Sequence, residues 1–353
     1  MESIEITVLG VMSGTSLDGI DLAIVKFIKT NLWSFEVLGT STVPYPPEWE
    51  LKLRSAIDIA SEERVALDRE YTFYLGERIA SFLAQHQDCS IDFVSSHGHT
   101  VLHQPQHGIT YQIGNLPLLA KQLQRKVICD FRTADVALKG QGAPLVPGAE
   151  THLFNTYDAC VNLGGFANIS ILTASQPKAY DICAVNLVMN SLAKKLGLDF
   201  DRDGELARAG KKIPTLLSAL QQLPFYKKAT PKSLGIEWVN AEIVPLLQHF
   251  NRHRIEDLLH TYSFHIAQEI SRNLPLEGKV LFSGGGAYNL YLMEMIERES
   301  SATIVLPSSQ IIEFKEAIAF AFLGVLRDLD QPNCFAQFTG SKMDHSSGKI
   351  FYP

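Results

Sequence analysis

Three glycine clusters in this chain have the residue types that hold phosphate. The first is GVMSGTSLDGID at 10–21. A plain hairpin turn needs only about 2–5 residues, so this segment is longer and richer in donors than a turn requires. Glycine lets the backbone come close to a phosphate, and successive N–H groups and hydroxyls donate to its oxygens. A nearby carboxylate can hold Mg²⁺ directly or through water. Gly14, Thr15, Ser16, Leu17, Asp18, Gly19, Ile20 and Asp21 are therefore candidate phosphate-binding residues, with Asp18 the candidate metal ligand. The loop is not a Walker A motif, because the Gly-Lys-Ser/Thr ending is missing. The second cluster is NLGGFANIS at 162–170, with Gly164 and Gly165 at its tip. The third, SGGG at 283–286, follows an apolar strand and precedes a helix. Alone it could serve packing. After two phosphate loops it reads as an adenosine-binding turn, with Gly284 and Gly285 as its contacts.

Other polar residues are open to two readings. His97, His99, His103 and His107 are spaced closely enough for a metal site, although spacing without structural context is weak. Arg132 and Asp135 fit an ion pair on a surface turn. Asp181 fits a helix N-cap, and Glu316 a first-turn acid favoured by the helix dipole. Asp201 and Asp203 resemble a calcium loop that lacks its closing glutamate. Cys89, Cys129, Cys160, Cys183 and Cys334 have no metal-ligand spacing and read as reduced core residues of a cytoplasmic protein.

The elements that must carry these residues repeat. Alternating apolar residues predict strands at 4–8, 21–27 and 33–43, the first two joined by the loop at 10–19. A helix is predicted at 61–87 from its apolar stripe. A short strand at 93–96 leads into a His-rich loop, followed by a helix at 116–123 and a strand at 126–129. GQGAPLVP at 140–147 reads as a crossover or hinge. A second round then opens with strands at 159–162 and 169–173. Helices at 187–196 and 255–273, a strand at 279–282, and helices at 290–299 and 313–329 follow. Each half thus begins strand, glycine-rich loop, strand. Two such hairpins facing across a cleft are how actin-like ATPases and sugar kinases grip a nucleotide. The expected fold is α/β, a two-lobed actin-like ATPase fold with duplicated mixed sheets flanked by helices and a central cleft. The expected domains are 1–132 joined by 331–353, and 133–330.

The motifs resemble, in order along nearly the whole chain, those of the anhydro-N-acetylmuramic acid kinase family. They are MSGTSLDGID at 12–21, HGHTVLH at 97–103, FRTADVALKGQGAPLVP at 131–147, NLGGFANIS at 162–170 and PKSLGIEWVN at 231–240. SGGGAYN at 283–289, EAIAFAFL at 316–323, FTGS at 338–341 and GKIFYP at 348–353 complete the set. The resemblance implies ATP and Mg²⁺ as cofactors and a homodimer. It also implies that 1,6-anhydro-N-acetylmuramic acid is opened by water and phosphorylated on O6 together. It makes Asp181 the base that activates the water, with Asp18 and Glu316 also in the catalytic set, and makes Ser13, His97, Thr100, Arg132 and Glu316 sugar contacts. The planar fork of Arg132 suits the lactyl carboxylate. The chain departs from the family in three places. Ile182-Cys183-Ala184-Val185-Asn186 stands for a TGPGN segment, His99 for a Gln, and Asn115 for an Asp.

Composition bounds the reading. The chain has 353 residues, which suggests two domains. Its net charge of −7 argues against sequence-independent binding of nucleic acid. The N-terminus carries acids where an export signal needs Lys or Arg. The longest apolar run, at 317–326, is about half of the ~18 residues a membrane span needs. The expectation is a cytoplasmic kinase acting on a small amino sugar, with no nucleic-acid or membrane partner. The alternatives are a kinase for another amino- or anhydro-sugar, or a nucleotide-binding protein of this fold with little turnover.

Overall fold

A computed structural model describes residues 3–14, 17–173 and 177–353. Among these residues twelve strands form two sheets. The chain divides into two compact units, 1–153 with 314–353, and 154–313.

In the first unit, β1 (Ile4–Ser13), β2 (Ile20–Lys29) and β3 (Trp33–Val43) form an antiparallel meander. β4 (Phe93–Gln104) pairs parallel with β1, and β6 (Val127–Cys129) parallel with β4. β5 (Ile109–Ile113) folds back on β4, and β12 (Lys349–Phe351) closes the β6 edge. β2 reads as a near-continuous apolar run because both of its faces are covered. Leu22 and Ile24 enter one core with Leu67, Tyr71, Leu75 and Ile79 of the helix Ser61–Ala84. Ala23, Val25 and Phe27, on the opposite face, enter another with Phe320, Phe322 and Leu326 of the helix Ser309–Asp328.

That second contact explains why the chain from Phe314 onward belongs to the first unit. A Cβ built on Gly10 of β1 would lie 2.1 Å from the Ala317 carbonyl oxygen, so only glycine admits the helix this close. The segment 133–153 is in the same unit: Leu145 and Ala149 sit in the core that holds Phe320.

The second unit repeats the path. β7 (Ala159–Leu163), β8 (Phe166–Ile171) and β9 (Lys178–Ala184) are an antiparallel meander. β10 (Lys279–Ser283) pairs parallel with β7, and β11 (Thr303–Val305) parallel with β10. The order β9-β8-β7-β10-β11 matches β3-β2-β1-β4-β6 strand for strand and in direction. The helices Asn186–Lys194, Ile255–Asn273 and Leu290–Glu299 bury their apolar stripes against this sheet.

Two expectations are corrected. The histidines at 97, 99 and 103 lie on β4, which continues to Gln104, not in a loop. Pairing with β1 and β5 extends the strand through residues whose polarity hid it. Asp181 lies inside β9, opposite Asn168, and the next helix starts only at Asn186, so Asp181 caps no helix.

Candidate functional site

In the first unit the phosphate-loop candidates sit between β1 and β2. Ser13 ends β1 and Ile20 opens β2, both buried. The Leu17 N–H donates to the Gly14 carbonyl at 3.3 Å, and Leu17 adopts a left-handed φ of 63°. Thr15 and Ser16 lie outside the described residues. Gly19 is a required glycine: its φ is +156°, and a Cβ there would sit 2.5 Å from the Val43 carbonyl oxygen. This close approach holds the chain where β2 begins, and Asp18, just before Gly19, is exposed. Asp21 accepts from the Thr42 hydroxyl at 2.6 Å.

The sugar-contact candidates of this unit are partly joined by hydrogen bonds. Arg132 Nε donates to His97 Nε2 at 2.9 Å, and His97 Nδ1 donates to the Gly98 carbonyl at 2.8 Å. His97 is therefore neutral with its proton on Nδ1. Burial, aided by the Arg132 charge, pushes its pKa well below the ordinary imidazole value. Arg132 also donates to the Gly142 carbonyl at 2.5 Å. Burial pulls the guanidinium down to about 10, with the Glu316 charge opposing the shift, so it stays charged at neutral pH.

Glu316, half-buried on the helix Ser309–Asp328, is raised by burial, with Lys315 and Arg132 opposing. Ser13 bonds His99 Nδ1 at 2.9 Å and the Tyr45 hydroxyl at 2.6 Å, and Tyr45 bonds Tyr71 at 2.5 Å. Burial lowers His99 to about 4. Thr100 stands apart from this set: its hydroxyl accepts from Gln112 Nε2 at a long 3.5 Å. Sequence reasoning missed the two tyrosines, which no spacing connects to Ser13.

In the second unit the Gly164-Gly165 hairpin tip receives the start of a helix. Val185 N–H donates to the Gly165 carbonyl at 2.8 Å and Asn186 N–H to the Gly164 carbonyl at 3.3 Å. The altered stretch Ile182, Cys183, Ala184 and Val185 is wholly buried in the core of this unit. Asp181, just before it, is partly exposed. Its Oδ2 accepts from the Leu234 N–H at 2.8 Å, and burial raises its pKa against that bond.

Gly284 takes a left-handed φ of 81°, where a Cβ would meet Asn162 Oδ1 at 2.7 Å and the Leu163 backbone at 2.9 Å. A Cβ on Gly285 would meet nothing within 4 Å. Gly285 instead opens onto a cavity of about 520 Å³, lined by Asn186, Asn190, Phe200, Arg202, Asp203 and Tyr288 among others. Ligand pockets for small molecules typically span about 300–1,000 Å³ and combine an aromatic wall with a few polar groups. Tyr288 follows the glycines directly, whereas Asn186, Asn190, Phe200, Arg202 and Asp203 come from a distant segment of the chain. Asp201 is explained differently: both carboxylate oxygens accept backbone N–H groups, from Leu206 and Ala207, at 2.8 and 2.9 Å. It holds a local turn.

A meander followed by parallel strands, occurring twice and each time opening on a glycine-rich hairpin, defines the α/β fold of actin-like ATPases and sugar kinases. The family model for anhydro-N-acetylmuramic acid kinase matches residues 6–353, and the chain belongs to that family. It is 34% identical to the anhydro-N-acetylmuramic acid kinase of Actinobacillus pleuropneumoniae serotype 7 (strain AP76), over 97% of this chain and 98% of that protein. It is 32% identical to the enzyme of the same name from Bacillus thuringiensis subsp. konkukian (strain 97-27), over 98% and 99%. Among solved structures, component A of (R)-2-hydroxyglutaryl-CoA dehydratase from Acidaminococcus fermentans aligns with a TM-score of 0.44 and 13% identity, over 90% of this chain and 96% of that one. No described helix is long and apolar enough to cross a membrane.

Proposed function

We propose that the chain is an ATP-dependent kinase that opens 1,6-anhydro-N-acetylmuramic acid with water and phosphorylates O6. The product is N-acetylmuramic acid 6-phosphate, formed in peptidoglycan recycling. The observation that carries this reading is the family match over residues 6–353 together with the retention of Asp181 as a partly buried carboxylate.

In the anhydro sugar O6 is tied to C1, so no hydroxyl is available there to phosphorylate. The C1–O6 bond must break, with water adding at C1 while O6 takes the phosphoryl group. Asp181 accepts the proton that the water loses. Burial raises its pKa and so its basicity, while the Leu234 N–H fixes the orientation of the carboxylate. Arg132, held in one orientation by His97 and the Gly142 carbonyl, pairs with the lactyl carboxylate of the sugar. Ser13, His97 and Glu316 complete the sugar contacts. Thr100 belongs to them by motif alone.

The cavity beside Gly285 is the nucleoside site, since a position without a Cβ leaves room for a ring against the backbone. The glycine hairpins at 14–21 and 164–165 hold the phosphates. Asp18 fits Mg²⁺ in donor type, being an exposed carboxylate that supplies a hard oxygen. When bound, the ion neutralises charge on the phosphate oxygens. The family resemblance also supports a homodimer in the cytoplasm. The test is Asp181→Asn, which keeps shape and a hydrogen-bonding oxygen. It should bind ATP and sugar like the parent while kcat falls about 10²–10⁴-fold; a fully active variant overturns the role.

A further inference from the structure

Three residues along the chain from Arg132, the first unit assembles a second group of donor side chains that joins the helix Thr133–Ala137 to the C-terminal segment. Cys334 and His345 form an antiparallel bridge pair, each N–H donating to the other's carbonyl, at 3.1 and 3.0 Å. Such a directly opposed pair projects its side chains from one face. That face meets Asp135, from the helix Thr133–Ala137. One donor atom from each of Asp135, Cys334 and His345 lies within 4.8 Å of the other two. Cys334 Sγ is 3.0 Å and His345 Nε2 3.8 Å from Asp135 Oδ1.

Three details mark the group as a ligand set. His345 Nδ1 donates to the Met343 carbonyl at 3.2 Å, which leaves the lone pair on Nε2, and that buried nitrogen has no hydrogen-bond partner. This is how metal-bound histidines are oriented, the far ring nitrogen being tied to a backbone carbonyl. The other Asp135 oxygen is likewise held, by the Gly142 N–H at 2.7 Å. Finally, Asp135 is fully buried and its direct hydrogen-bond donors are the Gly142 N–H, the Thr339 hydroxyl and the Cys334 thiol, with the Arg132 charge acting on it without a direct bond. A buried carboxylate is usually paired with a cation or coordinates a metal.

We propose that Asp135 Oδ1, Cys334 Sγ and His345 Nε2 form a zinc site that ties the C-terminal segment to the 133–142 segment. A carboxylate, a thiolate and an imidazole are zinc's donor types. Tetrahedral bond lengths place its donors about 3.3–3.8 Å apart, so small side-chain rotations complete the set. Thr339 Oγ1, 2.8 Å from Asp135 Oδ1, or a water supplies the fourth position. On binding, the thiol loses its proton to solvent, the S–H···O bond to Asp135 is given up, and the S–Zn bond forms. One carboxylate and one thiolate balance the charge of the ion. In the absence of metal, burial and the Asp135 charge keep the thiol protonated.

The test uses the full chain, stripped with chelator and free of nucleotide. Zn²⁺ should bind at one equivalent per chain, raise Tm by several degrees and release protons. Co²⁺ should give a thiolate charge-transfer band in the near ultraviolet. Cys334→Ser should abolish that band, and His345→Gln should weaken Zn²⁺ binding at least tenfold. His345 is partly exposed, so its variant carries the test if the serine variant fails to fold. No stoichiometric metal, no band, or variants that bind as the parent does would overturn the site.

Discussion

Arg132 and His97 are joined through Nε and Nε2 at 2.9 Å, and the bond requires His97 to be neutral. The imidazole accepts with Nε2 only while its one proton stays on Nδ1, facing the Gly98 carbonyl. His97→Ala removes the acceptor and frees the guanidinium. We expect KM for the sugar to rise about tenfold or more, roughly the 1.5 kcal/mol of a hydrogen bond to a charged group, with KM for ATP unchanged. Equal rises in both constants would show that His97 acts only through folding.

Buried neutral histidines also set an acid limit. His99 falls to about 4 in the folded chain, against 6.5 when unfolded. The unfolded chain binds its proton first, so the stability held above 6.5 is lost as pH falls from 6.5 towards 4. At pH 5 the loss attributable to this group is about 2 kcal/mol. Raised carboxylates such as Asp68 and Asp181 shift stability in the opposite direction, but equally in parent and variant. Urea unfolding at pH 7 and pH 5 should show His99→Gln losing about 2 kcal/mol less than the parent between the two. Equal losses contradict the assignment.

Two adjacent glycines separate binding from packing. Gly285 faces open space, whereas a Cβ on Gly286 would meet Leu163 Cβ at 2.8 Å. Gly285→Val should raise KM for ATP severalfold with Tm nearly unchanged, because its side chain enters the cavity. Gly286→Ala should destabilise the second unit by about 1–3 kcal/mol. Nucleotide titration and thermal melts on both variants decide it; an unchanged KM in Gly285→Val removes the cavity from the nucleotide site.

Gly10 gives the corresponding test in the first unit. A Cβ would lie 2.1 Å from the Ala317 carbonyl and 2.9 Å from Ala321 Cβ. Gly10→Ala should therefore cost about 1–3 kcal/mol in denaturant unfolding. A neutral effect would mean that the helix Ser309–Asp328 does not bear on β1.

What the sequence made legible follows from local pattern. The glycine clusters at 10–21 and 162–170 stand between alternating apolar residues, so both hairpins could be read, and with them the duplicated sheet. The helices Ile255–Asn273 and Leu290–Glu299 were legible because their apolar stripes are uninterrupted. The alternation ends β4 too early because His97, His99 and His103 break it, although His97 and His99 are buried beside Val101. The apolar run after Asp181 suggests a helix start there, while pairing with β8 keeps it in a strand. The cavity walls, and the meeting of Asp135 with Cys334, depend on contacts between distant segments, which no local spacing encodes.

The central claim is the coupled opening and phosphorylation of the anhydro sugar. Its most direct test is one incubation with ATP, Mg²⁺ and 1,6-anhydro-N-acetylmuramic acid in ¹⁸O-labelled water, quenched early and read by mass. The expected product is a 6-phosphorylated N-acetylmuramic acid with one ¹⁸O on the sugar at C1 and none in the transferred phosphate. ADP without a phosphorylated sugar, or a phosphorylated sugar without label, would contradict it.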